Sequence, residues 1–129
     1  MSDFYGLVEQ IRLQDKRYKP DAYEFLLQGL SFTQKKLKKT AHVTGNQLAH
    51  GLRDYAINQY GPLASRVLAH WGINQTQDFG NIVFNMIEKK LLAKTKEDSP
   101  LDFAAVYDFK SAFSDCFADS VIEGLKGKA

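Results

Sequence analysis

Leu68-Ala69-His70-Trp71-Gly72-Ile73-Asn74-Gln75-Thr76-Gln77-Asp78-Phe79-Gly80-Asn81-Ile82-Val83-Phe84-Asn85-Met86-Ile87 is the stretch whose reading decides the fold. Leu63, Val67, Leu68 and Trp71 fall on one helical stripe, which predicts a helix over Pro62 to Trp71. Gly72 supplies a left-handed residue to close it, because without a Cβ that conformation carries no steric cost. After the turn Gly72-Ile73-Asn74-Gln75, Thr76 is placed to cap a second helix with Phe79, Ile82, Val83, Met86 and Ile87 on its buried side.

Helical spacing continues in both directions. Phe4, Leu7, Val8 and Ile11 make one stripe behind a Ser2 cap. Pro20 suits a first helical position, and Tyr23, Leu26, Leu27, Leu30 and Leu37 follow on one side, with Phe25 and Phe32 on a neighbouring strip. Lys35, Lys36, Lys38 and Lys39 then complement the carbonyl end of that helix. Thr44 and Gln47 fit a capping box ahead of Leu48, Leu52, Tyr55 and Ala56, and Gly61-Pro62 stops one helix and starts the next. Beyond Lys90 the pattern weakens. Leu91 to Thr95, the turn Lys96-Glu97-Asp98-Ser99-Pro100 and Ala105-Val106-Tyr107 read as a short β-hairpin. Asp108 then caps a last helix carrying Phe109, Phe113, Cys116, Phe117, Ser120, Val121 and Leu125, an extension spanning residues 108–126. The expected architecture is therefore mainly α, a single domain over residues 1–129 with five or six helices and one hairpin.

A chain of 129 residues with 44% hydrophobic and 25% charged residues supports one core and excludes the disordered and collagen-like classes. No run of 18 apolar residues occurs, and Met1-Ser2-Asp3 with Glu9 lacks the basic start and apolar stretch of a secretory signal. A cytoplasmic chain without membrane association is expected. The single Cys116 forbids an internal disulfide, and its place between Phe113 and Phe117 makes it a buried thiol before a nucleophile. Net charge is only +2, but it is unevenly placed. Gln34 to Lys96 holds ten basic and three acidic residues, whereas Glu97 to Glu123 holds seven acids and Lys110.

Three functional readings arise from these residues. A helix presenting Gln77, Asn81 and Asn85 at a spacing of four can bond adenine edges, with Arg66, Lys89 and the Lys35, Lys36, Lys38 and Lys39 cluster on phosphates. Against it, Asp78 repels a phosphate backbone and no Arg occupies a base-reading position. Arg53, Asp54, His50, Tyr55 and Trp71 suggest a polar cleft for a small ligand or an enzyme site, although Arg53 paired to a carboxylate within a packing network is the favoured explanation. The aromatics of the last helix suit the domain's own core or a second copy across a two-fold axis. His50 and Asp54 share a helix face but bring no third ligand, and Asp98, Asp102 and Asp108 lack the spacing of a calcium loop. Neither a metal nor a cofactor is expected. The chain also has no Gly-rich phosphate loop, Gly-x-Ser-x-Gly run or dinucleotide fingerprint. The favoured expectation is a non-enzymatic binding or regulatory module working through a protein partner or self-association.

Two resemblances sit beside this reading. Leu68 to Leu92 resembles a helix-turn-helix whose exit, Glu88-Lys89-Lys90-Leu91-Leu92, resembles a winged helix entering its first wing, although the buried residues after Gly72 come one position late. That resemblance implies a winged-helix-like fold and DNA or protein binding. Asp21-Ala22-Tyr23, His42 with Thr44-Gly45, Arg53-Asp54-Tyr55-Ala56, Tyr60-Gly61-Pro62, Trp71-Gly72-Ile73, Asp78-Phe79-Gly80, Asp98-Ser99 and Tyr107-Asp108-Phe109 together resemble an uncharacterised family of short bacterial hypothetical proteins. This second resemblance implies a bacterial cytoplasmic protein and carries over no catalytic residue.

Overall fold

The computed structural model describes residues 3–38, 42–93 and 98–113. Five helices follow one another: α1 (Asp3–Gln14), α2 (Pro20–Lys36), α3 (Gly45–Tyr60), α4 (Ala64–His70) and α5 (Thr76–Glu88). Short 3-10 turns occupy Gly61–Leu63 and Pro100–Phe103. Helix accounts for 74% of the described residues and no strand occurs among them, so the mainly α expectation holds while the hairpin does not.

The expected stripes supply the core. Val8 and Ile11 of α1, Tyr23, Phe25 and Leu26 of α2, Leu48, Leu52 and Ala56 of α3, Leu68 of α4, and Phe79, Ile82, Val83 and Met86 of α5 are all buried. Two glycines bring α2 and α3 close together. A Cβ on Gly51 would overlap Thr33 of α2, and one on Gly29 would overlap Leu52 of α3. Helices α2 and α5 pack side by side: the Tyr23 hydroxyl, in the first turn of α2, accepts from Asn85 near the end of α5, and Leu30 and Ile87 line one cleft.

Helix ends explain where the chain turns. Thr44 caps α3 with the expected box, its hydroxyl accepting from the Gln47 amide while the Gln47 side chain accepts from the Thr44 amide. Gly72 closes α4 at φ 97°, with Ile73 N bonding Leu68 O and Gly72 N bonding Ala69 O. Residues 61–63 form a separate 3-10 turn where one continuous helix from Pro62 is expected, and Leu63 is half exposed.

Helix α5 ends the same way as α4, but on a lysine. Lys90 lies at φ 62°, Leu91 N bonds Met86 O and Lys90 N bonds Ile87 O. This reversal is the physical reason no wing strand is seen among the described residues: it folds Leu91 and Leu92 back against the core, where they are half-buried, instead of leading them out as a strand. On the far side, Ser99 and Pro100 start a 3-10 turn, and Ala105 at φ 49° interrupts the expected partner strand. Residues 94–97 of the expected hairpin, the Ser2 cap, Lys39 and the last helix beyond residue 113 lie outside the described residues. Since a left-handed lysine carries a steric cost of about 1–2 kcal/mol, Lys90→Gly is expected to stabilise the fold by about 0.5–1 kcal/mol after the added chain entropy of glycine, read as a rise in Tm.

In place of the hairpin, residues 98–113 strap the ends of α3 and α5. Phe103 is buried and rests on Gly45 and Gly80, where an added Cβ would come within 3.1 and 2.9 Å of its atoms. The Thr76 hydroxyl donates to Phe103 O at 2.6 Å and accepts from Val106 N at 3.1 Å. Tyr107 donates to Ala49 O at 2.8 Å. Asp108 caps a helical turn over 109–113 by accepting from the Ser111 amide at 2.9 Å. Phe113 is buried and Phe109 packs against Phe79, so these two aromatics of the last segment serve the domain's own core.

Candidate functional site

The amide face expected to read bases is committed to internal bonds. Asn81 donates to the Tyr18 hydroxyl at 2.9 Å, and Asn85 donates to Asp15 at 2.9 Å and to the Tyr23 hydroxyl at 3.1 Å. Gln77 donates to Asn81 at 3.3 Å and to Pro100 O at 3.2 Å. All three side chains lie against other parts of the chain, and freeing them to bond a base means breaking these contacts. Base reading by this face would compete with these internal bonds.

Asp78 has a different role from the expected phosphate repulsion. It is buried, with one oxygen accepting from the Tyr18 hydroxyl at 2.5 Å and the other from the Asn74 and Gln75 amides at 2.8 and 3.1 Å. Gln75, not Thr76, is the N-cap of α5. The Asp78 carboxylate supplies the negative charge favoured at that end. Burial, then the bond to Asp78, pushes the Tyr18 phenol above its ordinary range, so it stays protonated as a donor.

Asp15 joins this network through Asn85. The Arg17 side chain, bonded at 2.8 and 2.7 Å, holds its carboxyl well below the usual range, with Asn85 and the Arg17 amide adding to the effect. Because its pKa is lower folded than unfolded, its stabilising contribution is complete above the unfolded value and is lost as pH falls through the folded one. Acidification below about pH 4 is thus expected to lower Tm progressively, with a shallower slope in Asp15→Asn. Equal slopes would show that Asp15 is not responsible.

The five residues expected to share a polar cleft are divided between two places. Asp54 accepts from Lys36 at 2.5 Å and from Arg53 at 3.4 Å, and Arg53 also donates to Ala112 O at 3.2 Å. His50 lies beside the Tyr107 ring at 5.5 Å. Tyr55 and Trp71 instead flank Phe25, with ring centroids 5.5 and 5.7 Å away. Arg53 thus has a carboxylate neighbour in Asp54 and a backbone partner in Ala112. Among the described residues no group of three His, Cys, Asp or Glu side chains is placed to hold a metal. Lys35 and Lys36 occupy the last turn of α2, Lys38 follows it, Lys89 is the C-cap of α5, and Arg66 is exposed on α4.

An apolar concavity lies elsewhere. A cleft of about 350 Å³ opens where α2, α3 and α5 converge, floored by Leu30, Leu48, Val83, Phe84 and Ile87 and backed by Phe103. Gln34, Ser99, Asp102 and the pair His42–Asp98, 3.2 Å apart, stand around its mouth. The sequence reading missed this cleft. Its only signal there is the surplus of apolar positions on α2 and α5, more than one helix contact needs. Leu101, beside the rim, leaves 76% of its surface exposed. Compared with known protein families, curated proteins and solved structures, the chain matches none.

Proposed function

We propose that the protein is a non-enzymatic binding module acting through protein–protein association, and that the cleft between α2, α3 and α5 receives an apolar anchor side chain of the partner. The observation that carries this reading is the apolar floor of about 350 Å³, large enough for an aromatic or branched aliphatic group. Leu101, whose neighbour Asp102 lines the cleft, leaves a large apolar side chain exposed, which favours a protein partner over a small ligand. Arg53, Asp54 and His50 are engaged with Lys36, Ala112 and Tyr107 away from the cleft, which weakens an enzymatic reading built on them.

The test uses peptides selected from a displayed library on the immobilised protein and then measured individually with purified material. Selected peptides should share one large apolar residue, shift the backbone amide signals around Leu48 and Phe84, and bind at least about tenfold more weakly to Ala93→Trp, which fills the mouth from an exposed position. Arg66→Gln, on another face, should bind normally. Peptides that bind equally well to Ala93→Trp would remove the cleft as the binding site. A dimer in sedimentation that dissociates in Ala93→Trp would make the partner a second copy of the chain.

A further inference from the structure

A second hollow, on the α4 side of the domain, has a different chemistry. Its volume is about 280 Å³, and Ser65, Arg66 and Ala69 of α4, the Ile73–Asn74 turn, and Phe109 and Lys110 line it. No acid lines it. The neighbouring Asp108 carboxylate accepts from the Ser111 amide at 2.9 Å as the cap of its own turn. The other three arginines of the chain are occupied: Arg12 bonds Tyr18 O and pairs with Glu9, Arg17 pairs with Asp15, and Arg53 pairs with Asp54. Arg66 and Lys110 have no hydrogen-bond or ion-pair partner among the described residues, and both are exposed.

Helix electrostatics do not account for these two cations. Lys110 lies in the first turn of the helical segment that Asp108 caps, and Arg66 lies in the first turn of α4, the ends where a negative charge is favoured and a cation is not. Two like charges brought to one hollow also repel each other until an anion joins them. Beside them the Ser65 hydroxyl offers a neutral donor, and the Asn74 side-chain amide, which gives one hydrogen to Gly72 O at 3.4 Å, has a second. Phe109 gives the hollow a firm apolar wall, its ring held by Phe79, Tyr107 and Phe113 at 5.7, 5.9 and 4.9 Å.

We infer that this hollow is a binding site for a small phosphate monoester, with the phosphate between Arg66 and Lys110 and a planar organic group against Phe109. The guanidinium fork meets phosphate oxygens two at a time, and the ammonium adds a point charge. This site is independent of the apolar cleft.

Phenyl phosphate is the probe, titrated into the isotope-labelled full chain and followed by amide chemical shifts. Saturable shifts confined to Ser65, Ala69, Asn74 and Phe109 are expected, weakened about tenfold or more in Arg66→Gln and in Lys110→Gln with Tm unchanged, because both side chains are exposed. Arg66→Lys keeps the charge but loses the fork, and should weaken binding as well. Inorganic phosphate should bind at the same residues more weakly, since it leaves Phe109 uncovered. Shifts that do not saturate, that spread over Lys35 and Lys89, or that persist unchanged in Arg66→Gln would overturn the site. Displacement of phenyl phosphate by mixed-sequence duplex DNA, with steep salt dependence, would overturn the small-ester assignment in favour of a polynucleotide backbone.

Discussion

Phe103→Ala is expected to lower the free energy of unfolding by about 3–5 kcal/mol, the range for removing a buried aromatic ring when the surroundings cannot collapse into the space. Collapse is hindered here because the ring lies on Gly45 and Gly80, which have no side chains to advance. Against a typical total of about 5–15 kcal/mol, this loss takes away a large share of the stability. The damage also spreads, since Phe103 O accepts from Thr76 at the start of α5 and the ring backs the apolar cleft. Urea denaturation measures the effect. Phe103→Leu, which keeps most of the apolar volume, should retain much of the stability, and a loss below about 1 kcal/mol for the alanine variant would show that the strap does not hold α3 and α5 together.

Gly72→Ala should cost about 3 kcal/mol or more, by two separable routes. At φ 97° an L residue is strained, and an added Cβ would stand 2.1 Å from Arg17 O, a backbone atom that no side-chain rotation can move aside. Relief requires shifting the segment that carries Tyr18 and Lys19, whose amide bonds Trp71 O at 3.1 Å. That shift pulls the Tyr18 hydroxyl away from Asp78, leaving a buried carboxylate with one donor fewer. Gly72→Asn separates the routes, because asparagine tolerates positive φ but still carries the Cβ. Near-equal losses in thermal or urea unfolding would identify the overlap with Arg17 as dominant. A fully recovered asparagine variant would identify the backbone angle instead.

Much of the helical order was legible because its causes are local. The stripe of Phe79, Ile82, Val83 and Met86, the Thr44–Gln47 box and the Gly72 stop each depend on residues within about one or two turns of each other, the range a periodic pattern reports. The errors occur where a local pattern has two outcomes. Lys89-Lys90-Leu91-Leu92 reads as the start of a strand, yet a lysine in the left-handed conformation returns the chain to the core, because burying Leu91 and Leu92 offsets a cost of about 1–2 kcal/mol. Gln77, Asn81 and Asn85 read as an open amide face, since nothing near them in sequence shows that Asp15, Tyr18 and Tyr23 come to lie against them.

The candidate sites were less legible than the helices. The sequence places Arg66 among the expected phosphate contacts, but its hollow exists only because Phe109 and Lys110 come to lie beside α4. The apolar cleft likewise depends on α2, α3 and α5 converging around Leu30, Leu48 and Val83. By itself the sequence determined the helical class, most helix positions and the face each helix buries, because hydrophobic period and capping act over a few residues. Only the tertiary structure decided which polar side chains are spent on internal bonds, where the two hollows open and how residues 98–113 cross α3 and α5. Those outcomes depend on contacts between residues as many as 70 positions apart, which no local period encodes.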